Sequence, residues 1–214
     1  MTTPGMRHLA VGLVAAGGTL FAVGNLLHPL EHSEAAHRAA SWEPTHLTFA
    51  FSGLLVAAGL PLLLAVGDLL RPSRLAVGGV TLAVAYAATG PAAWFEAFVA
   101  PLPGGVADRL EDGAGGTVNA VAGFVWIAAT LAFGLGLARR GVGRPVRLAG
   151  AALLAVVVTL PAGPGIPGPE GLWIIPATVV AGLALVTLAV QVARPTTPAA
   201  AHPAAAREAV VARS

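Results

Sequence analysis

Read for hydrophobic and polar positions, the chain divides into six long apolar runs separated by short polar intervals. The runs cover about 9–28, 44–70, 75–100, 118–138, 146–162 and 172–193. About 20 residues of helix cross a hydrocarbon layer of roughly 30 Å, and the runs match that length, the fifth being the shortest. It ends at a Pro/Gly-rich stretch, 161–171. None of the runs alternates apolar with polar residues as a barrel strand would, and backbone groups in lipid must be paired within their own segment, so each run predicts a helix.

Composition agrees. Of the 214 residues 56% are hydrophobic and 10% charged, and the mean hydropathy is +0.79. An ordinary water-soluble globule is excluded. There is no cysteine, which removes thiolate metal sites, cysteine nucleophiles and thioether haem attachment.

Charge then orients the runs, because cytoplasmic loops collect positive residues. All 12 basic residues are Arg. Arg7 precedes the first run, Arg71 and Arg74 lie between the second and third, and Arg139, Arg140, Arg144 and Arg147 lie between the fourth and fifth. Arg194, Arg207 and Arg213 follow the sixth. The alternate loops hold only Arg38 and Arg109, together with Glu31, Glu34, Glu43, Asp108, Glu111, Asp112 and Glu170. The sequence therefore predicts an all-α polytopic integral membrane protein of the inner, cytoplasmic membrane, with six transmembrane helices and both termini cytoplasmic. The first run exceeds a signal-peptide core and lacks a small-x-small cleavage site, so it is expected to be retained as a span. The Ala/Pro-rich segment 195–214 is expected to be a disordered cytoplasmic tail.

Sorting by side also explains the pI near 10.4. It reflects topology, and no basic run is interleaved with aromatics, so nucleic acid is not an expected partner. The expected partner is the lipid bilayer, with a second copy of the chain or an unidentified membrane protein as a further candidate.

Two packing features stand out. Gly12 with Ala16 and Gly53 with Ala57 have the four-residue spacing that lets helices approach closely, although small residues are abundant enough for chance matches. Pro61, Pro91 and Pro176 fall inside runs, where each removes a backbone donor. No repeat between the two sets of three runs is evident.

Candidate chemistry gathers at the Arg-poor side. His28, His32, His37 and His46 fall within nineteen positions around the first outer loop. Pro29 suits the start of a short outer helix reaching about Ala40, and Pro44 the start of the second span, with Glu43 as its cap and His46 in its first turn. Glu96 lies well inside the third run, where a carboxylate is a functional-site candidate by default. Thr89 shares its helical face, and Asn119 begins the fourth run at the same level. These residues suggest an outward-facing pocket in which His28, His46 and Glu96, with His32 as a further candidate, form a metal-ligand set, lined by Asn119 and Thr89.

Imidazole and carboxylate suit a metal ion, and His28 with His46 could ligate a haem. No H-E-x-x-H or paired Glu-x-x-His supports either cofactor. The simplest alternative is interfacial anchoring, which His, Trp and Glu commonly provide at that depth. The expected function is thus a multi-pass membrane protein of undefined activity whose His/Glu pocket binds a metal, haem or small ligand. The alternatives are a small proton-coupled transporter using Glu96 and a non-catalytic membrane subunit.

Overall fold

Pro4 opens the first helix, where its fixed φ suits a helical first turn and its missing N–H would have no partner anyway. In a computed structural model this helix, α1, runs Pro4–Leu27. It is followed by α2 (Glu34–His37), α3 (Trp42–Gly67), α4 (Ala76–Phe98), α5 (Val106–Glu111), α6 (Ala114–Arg140), α7 (Arg144–Ala162) and α8 (Gly171–Ala193). The structure describes residues 4–31, 33–67, 76–102, 105–162, 165 and 167–194. The tail 195–214 and His32 lie outside them, as does the side chain of Asn119.

Every expected span coincides with one of the six long helices, and no β-strand forms among the described residues. Four of them, α1, α3, α6 and α8, are long and apolar enough to cross a membrane. The apolar helices are consistent with a membrane protein. Many of their large side chains lie on the outside, among them Leu9, Leu26, Phe51, Val84, Phe124 and Leu183, as expected where the surrounding solvent is hydrocarbon.

Between the spans the structure departs from expectation in two places. The outer helix predicted from Pro29 to Ala40 shrinks to Glu34–His37, because the Ser33 Oγ accepts from the Ala36 N–H at 3.2 Å and starts the helix there. Helix α3 then begins at Trp42, so Glu43 sits in its first turn instead of capping it, and Pro44 falls among positions whose N–H groups have no intrahelical acceptor. The Gly/Asp-rich stretch at 108–116 contributes the end of α5 and the start of α6.

The long helices close into a ring. Each packs on the next in the order α1, α3, α4, α6, α7, α8, and α8 returns to α1. One end of the ring carries the His-rich loop after α1 and the other the turn between Arg140 and Arg144. Glycines set the spacing. A Cβ on Gly18 would lie 2.7 Å from the Gly182 carbonyl oxygen, and a Cβ on Gly182 would lie 2.5 Å from that of Gly18. Helices α6 and α7 meet similarly, since a Cβ on Gly150 would stand 2.7 Å from the Gly134 oxygen. Of the two small-residue pairs singled out in the sequence, Gly53 faces the Tyr86 and Thr89 backbone and hydroxyl, while Gly12 faces nothing within 4 Å.

Polar side chains tie the helices across these contacts. Ser52, fully buried, donates to the Gly17 carbonyl oxygen at 2.8 Å and joins α3 to α1. Arg7 donates to carbonyl oxygens at the end of α8, those of Val192 and Arg194. The Arg-bearing half of the ring is filled by Val14, Leu60, Leu63, Phe133, Leu137 and Leu188, all sealed from solvent. The other half holds the cavities described next.

Candidate functional site

Pro29 ends α1 by disfavouring helical geometry at His28 and leaves that imidazole where the chain turns back. Its Nδ1 donates to the Pro29 carbonyl oxygen at 2.7 Å. On the facing helix His46 does the same with Trp42: Nδ1 donates to the carbonyl oxygen one turn earlier, at 2.8 Å. A carbonyl can only accept, so both rings carry their proton on Nδ1 when neutral, and Nε2 is the nitrogen that gains a second proton.

The two rings meet edge to face with centroids 5.2 Å apart. Trp42 lies 4.2 Å from the His46 ring and 4.5 Å from that of His37. The indole N–H of Trp42 donates to the Glu96 carbonyl oxygen at 2.6 Å. Trp42 is 1% exposed and His46 3%. One buried tryptophan therefore fixes the elbow before α3, the imidazole one turn on, and the outer end of α4.

Two small cavities flank His46. The first, about 210 Å³, lies between α1, α3 and α8 and is lined by His28, His46, Glu170 and Asn25 among others. The second, about 240 Å³, lies between α1, α3 and α4 and is lined by His46, Asn25, Thr89 and Glu96. Asn25, His46 and Phe49 form part of both walls. Four of the residues expected in a pocket thus converge, with His28 and Glu96 on opposite sides of His46.

Neither expected cofactor finds support among the described residues, which do not include His32. Among the described residues no three His, Cys, Asp or Glu side chains converge on a point where a metal ion could be held. The His28 and His46 rings stand edge to face with each other. The arrangement can instead present hydrogen-bond donors and acceptors of both kinds to a small molecule.

Two site residues escaped the sequence reading. Asn25 is a buried amide whose Nδ2 donates to the Phe21 carbonyl oxygen at 2.7 Å and whose Oδ1 lies 2.5 Å from the Thr178 hydroxyl of α8. Its signal was a lone amide one turn below His28 in an apolar run. Glu170 stands at the start of α8, where the neighbouring Gly171 N–H donates to the Leu30 carbonyl oxygen at 2.8 Å. A Cβ on Gly171 would fall 2.7 Å from the Leu30 backbone, so this approach admits no side chain. The strand of chain after α1 is thereby pinned to α8, bringing Glu170 opposite His28. No family model matches the chain, and no curated protein or solved structure matches it either.

Proposed function

We propose that all six long helices span the cytoplasmic membrane with both termini inside, and that the His-bearing end faces outward and binds a small hydrogen-bonding molecule. Helices α4 and α7, of 23 and 19 residues, would extend about 35 Å and about 28 Å at 1.5 Å per residue, enough for a bilayer core. Arg lies almost wholly on one side of the six-span arrangement, which supports the orientation.

The observation that carries the binding reading is the shared wall: His46, Asn25 and Phe49 separate two cavities whose other polar residues are His28, Glu170, Thr89 and Glu96. Interfacial anchors would be spread around the bundle at one depth. Here the groups turn inward onto one another. Conduction through the bundle finds less support, because the Arg-bearing half is packed with Leu60, Leu63, Phe133 and their neighbours.

A reporter fused after Asp112 is expected to read as external and one after Gly143 as cytoplasmic; the opposite pattern would overturn the orientation. Native mass spectrometry on protein extracted in mild detergent tests the binding. A bound small molecule is expected with wild type and is expected to be lost in His46→Ala and Glu96→Gln. Only the mass of the bare chain, in preparations from several growth conditions, would refute it.

A further inference from the structure

The ring does not close evenly. Near the Arg-bearing end α4 lies against α6, since a Cβ on Gly78 would stand 3.1 Å from the Phe133 backbone nitrogen. Toward the other end α6 has open space beside it: a Cβ on Gly123 would meet nothing within 4 Å. Gly123 is a wall residue of a cavity of about 690 Å³, within the range of small-molecule sites. Small side chains keep this chamber open, Ala88 and Ala92 on α4 and Ala122 on α6, while α7 and α8 contribute Leu160 and Ile174. On α8 the wall begins at Trp173, two residues into a helix that starts at Gly171, so the chamber belongs to the half of the bundle nearest the His-rich loop.

The chamber runs from the flank of the bundle to its interior. Phe124, next to Gly123 in the wall, is 73% exposed, whereas Phe21 and Trp126, also in the wall, are buried. The lining is almost wholly hydrocarbon or aromatic. Its two hydroxyls are turned to the protein. Thr89 donates to the Tyr86 carbonyl oxygen at 2.7 Å, and the Thr178 Oγ1 lies 2.5 Å from the Asn25 Oδ1 and 2.8 Å from the Ile174 carbonyl oxygen.

These properties select the occupant. An empty chamber forfeits dispersion contacts along its whole wall. Water finds few polar partners there, and apolar cavities stay dry and take up hydrocarbon. Where the helices span a bilayer, the open side at Phe124 faces acyl chains, which need no polar partner. Lipid tails are as apolar as the wall, so the gain comes from close packing and not from leaving water. We infer that the chamber is an acyl-chain site: a hydrocarbon chain of a lipid in the leaflet nearest the His-rich loop turns sideways past Phe124 and Gly123 and rests against Trp126 and Phe21.

The inference rests on the helices spanning a bilayer, as proposed above, and not on the polar recess binding anything. The full chain is placed, one copy per disc, in nanodiscs of phosphatidylcholine carrying a diazirine along one acyl chain. After irradiation, adducts are mapped by peptide mass spectrometry. They are expected on Val121, which is exposed on the outside of α6, and also on the buried Trp126. Gly123→Leu and Ala92→Leu each place a larger side chain on the chamber wall. Both are expected to lower the Trp126 adduct at least tenfold, with the Val121 adduct within twofold of wild type and the unfolding midpoint unchanged. The wild-type result decides without either variant: adducts on Val121 and none on Trp126 overturn the acyl-chain site and leave the spanning reading standing. No adduct on either residue overturns both. Trp126 adducts that survive in both variants would overturn the route through the chamber. Oxidation of Trp126 by hydroxyl radicals with no lipid adduct there would give the chamber to water. Crosslinks between copies through Phe124 in discs holding two, again with no lipid adduct on Trp126, would give it to a second chain.

Discussion

Arg7, on α1, reaches the last turn of α8: its Nε donates to the Val192 carbonyl oxygen at 2.7 Å. The same guanidinium reaches the Arg194 carbonyl oxygen at 2.6 Å. The final carbonyls of a helix have no intrahelical donor and carry partial negative charge, so a cation there satisfies them twice over. The contact also ties the start of α1 to the end of α8 at the Arg-bearing side.

Removing that guanidinium should therefore destabilise the bundle measurably. For Arg7→Ala we expect a loss of about 1.5–3 kcal/mol, the range of hydrogen bonds made by charged groups. Arg7→Lys should recover part of it, since one ammonium cannot reproduce the spread of a guanidinium fork. Chemical unfolding in mixed detergent micelles reads both; equal stability of Arg7→Ala and wild type would show the contact to be energetically idle.

Glycine substitutions should divide sharply by position. Gly18→Val and Gly182→Val place atoms where the opposing backbone already stands, and overpacking of this kind costs about 1–3 kcal/mol. Gly12→Ala meets open space and should be neutral or stabilising by about 0.5–1 kcal/mol through helix propensity. Unfolding midpoints of the three variants test this, and tolerance of Gly182→Val would refute the close α1/α8 approach.

The Asn25–Thr178 contact is expected to couple α1 and α8 by about 0.6 kcal/mol, and by no more than about 1.7 kcal/mol, as membrane hydrogen bonds do. A double-mutant cycle of Asn25→Ala and Thr178→Val measures it. Strict additivity would mean that the two side chains do not interact.

Trp42→Phe keeps a ring against His46 but deletes the donor to the Glu96 carbonyl oxygen. A loss of about 1 kcal/mol is expected, together with faster amide exchange at the outer end of α4. Unchanged exchange there would show that the tryptophan does not position Glu96.

Much of this architecture was legible from local pattern. Long apolar runs placed the six long helices to within a few residues, because an unbroken apolar stretch is visible from length and hydropathy alone. The short helices were less so. Ser33, which shortens α2, is an isolated cap whose effect depends on one hydrogen bond. At the site, His28 and His46 were within reach because they lie eighteen positions apart around one loop, and Glu96 because a carboxylate in an apolar run is conspicuous. Asn25 and Glu170 were not. Asn25 matters through Thr178, 153 positions away, and Glu170 through a backbone contact between Gly171 and Leu30. Such relations are fixed by the order of helices around the ring, on which the hydropathy of individual runs is silent.

Ring closure through Gly18 and Gly182 has a consequence for how the protein is made. Chains are built from the N-terminus, and early segments organise first. Helix α1 can receive α3, and α3 can receive α4, as they arrive, yet the Gly18 and Asn25 face of α1 waits for α8, the last of the described helices. The cavity wall formed by Glu170 and Ile174 does not exist before that arrival. A chain that stops before α8 leaves an open arc in which the Asn25 amide has no Thr178 hydroxyl to meet.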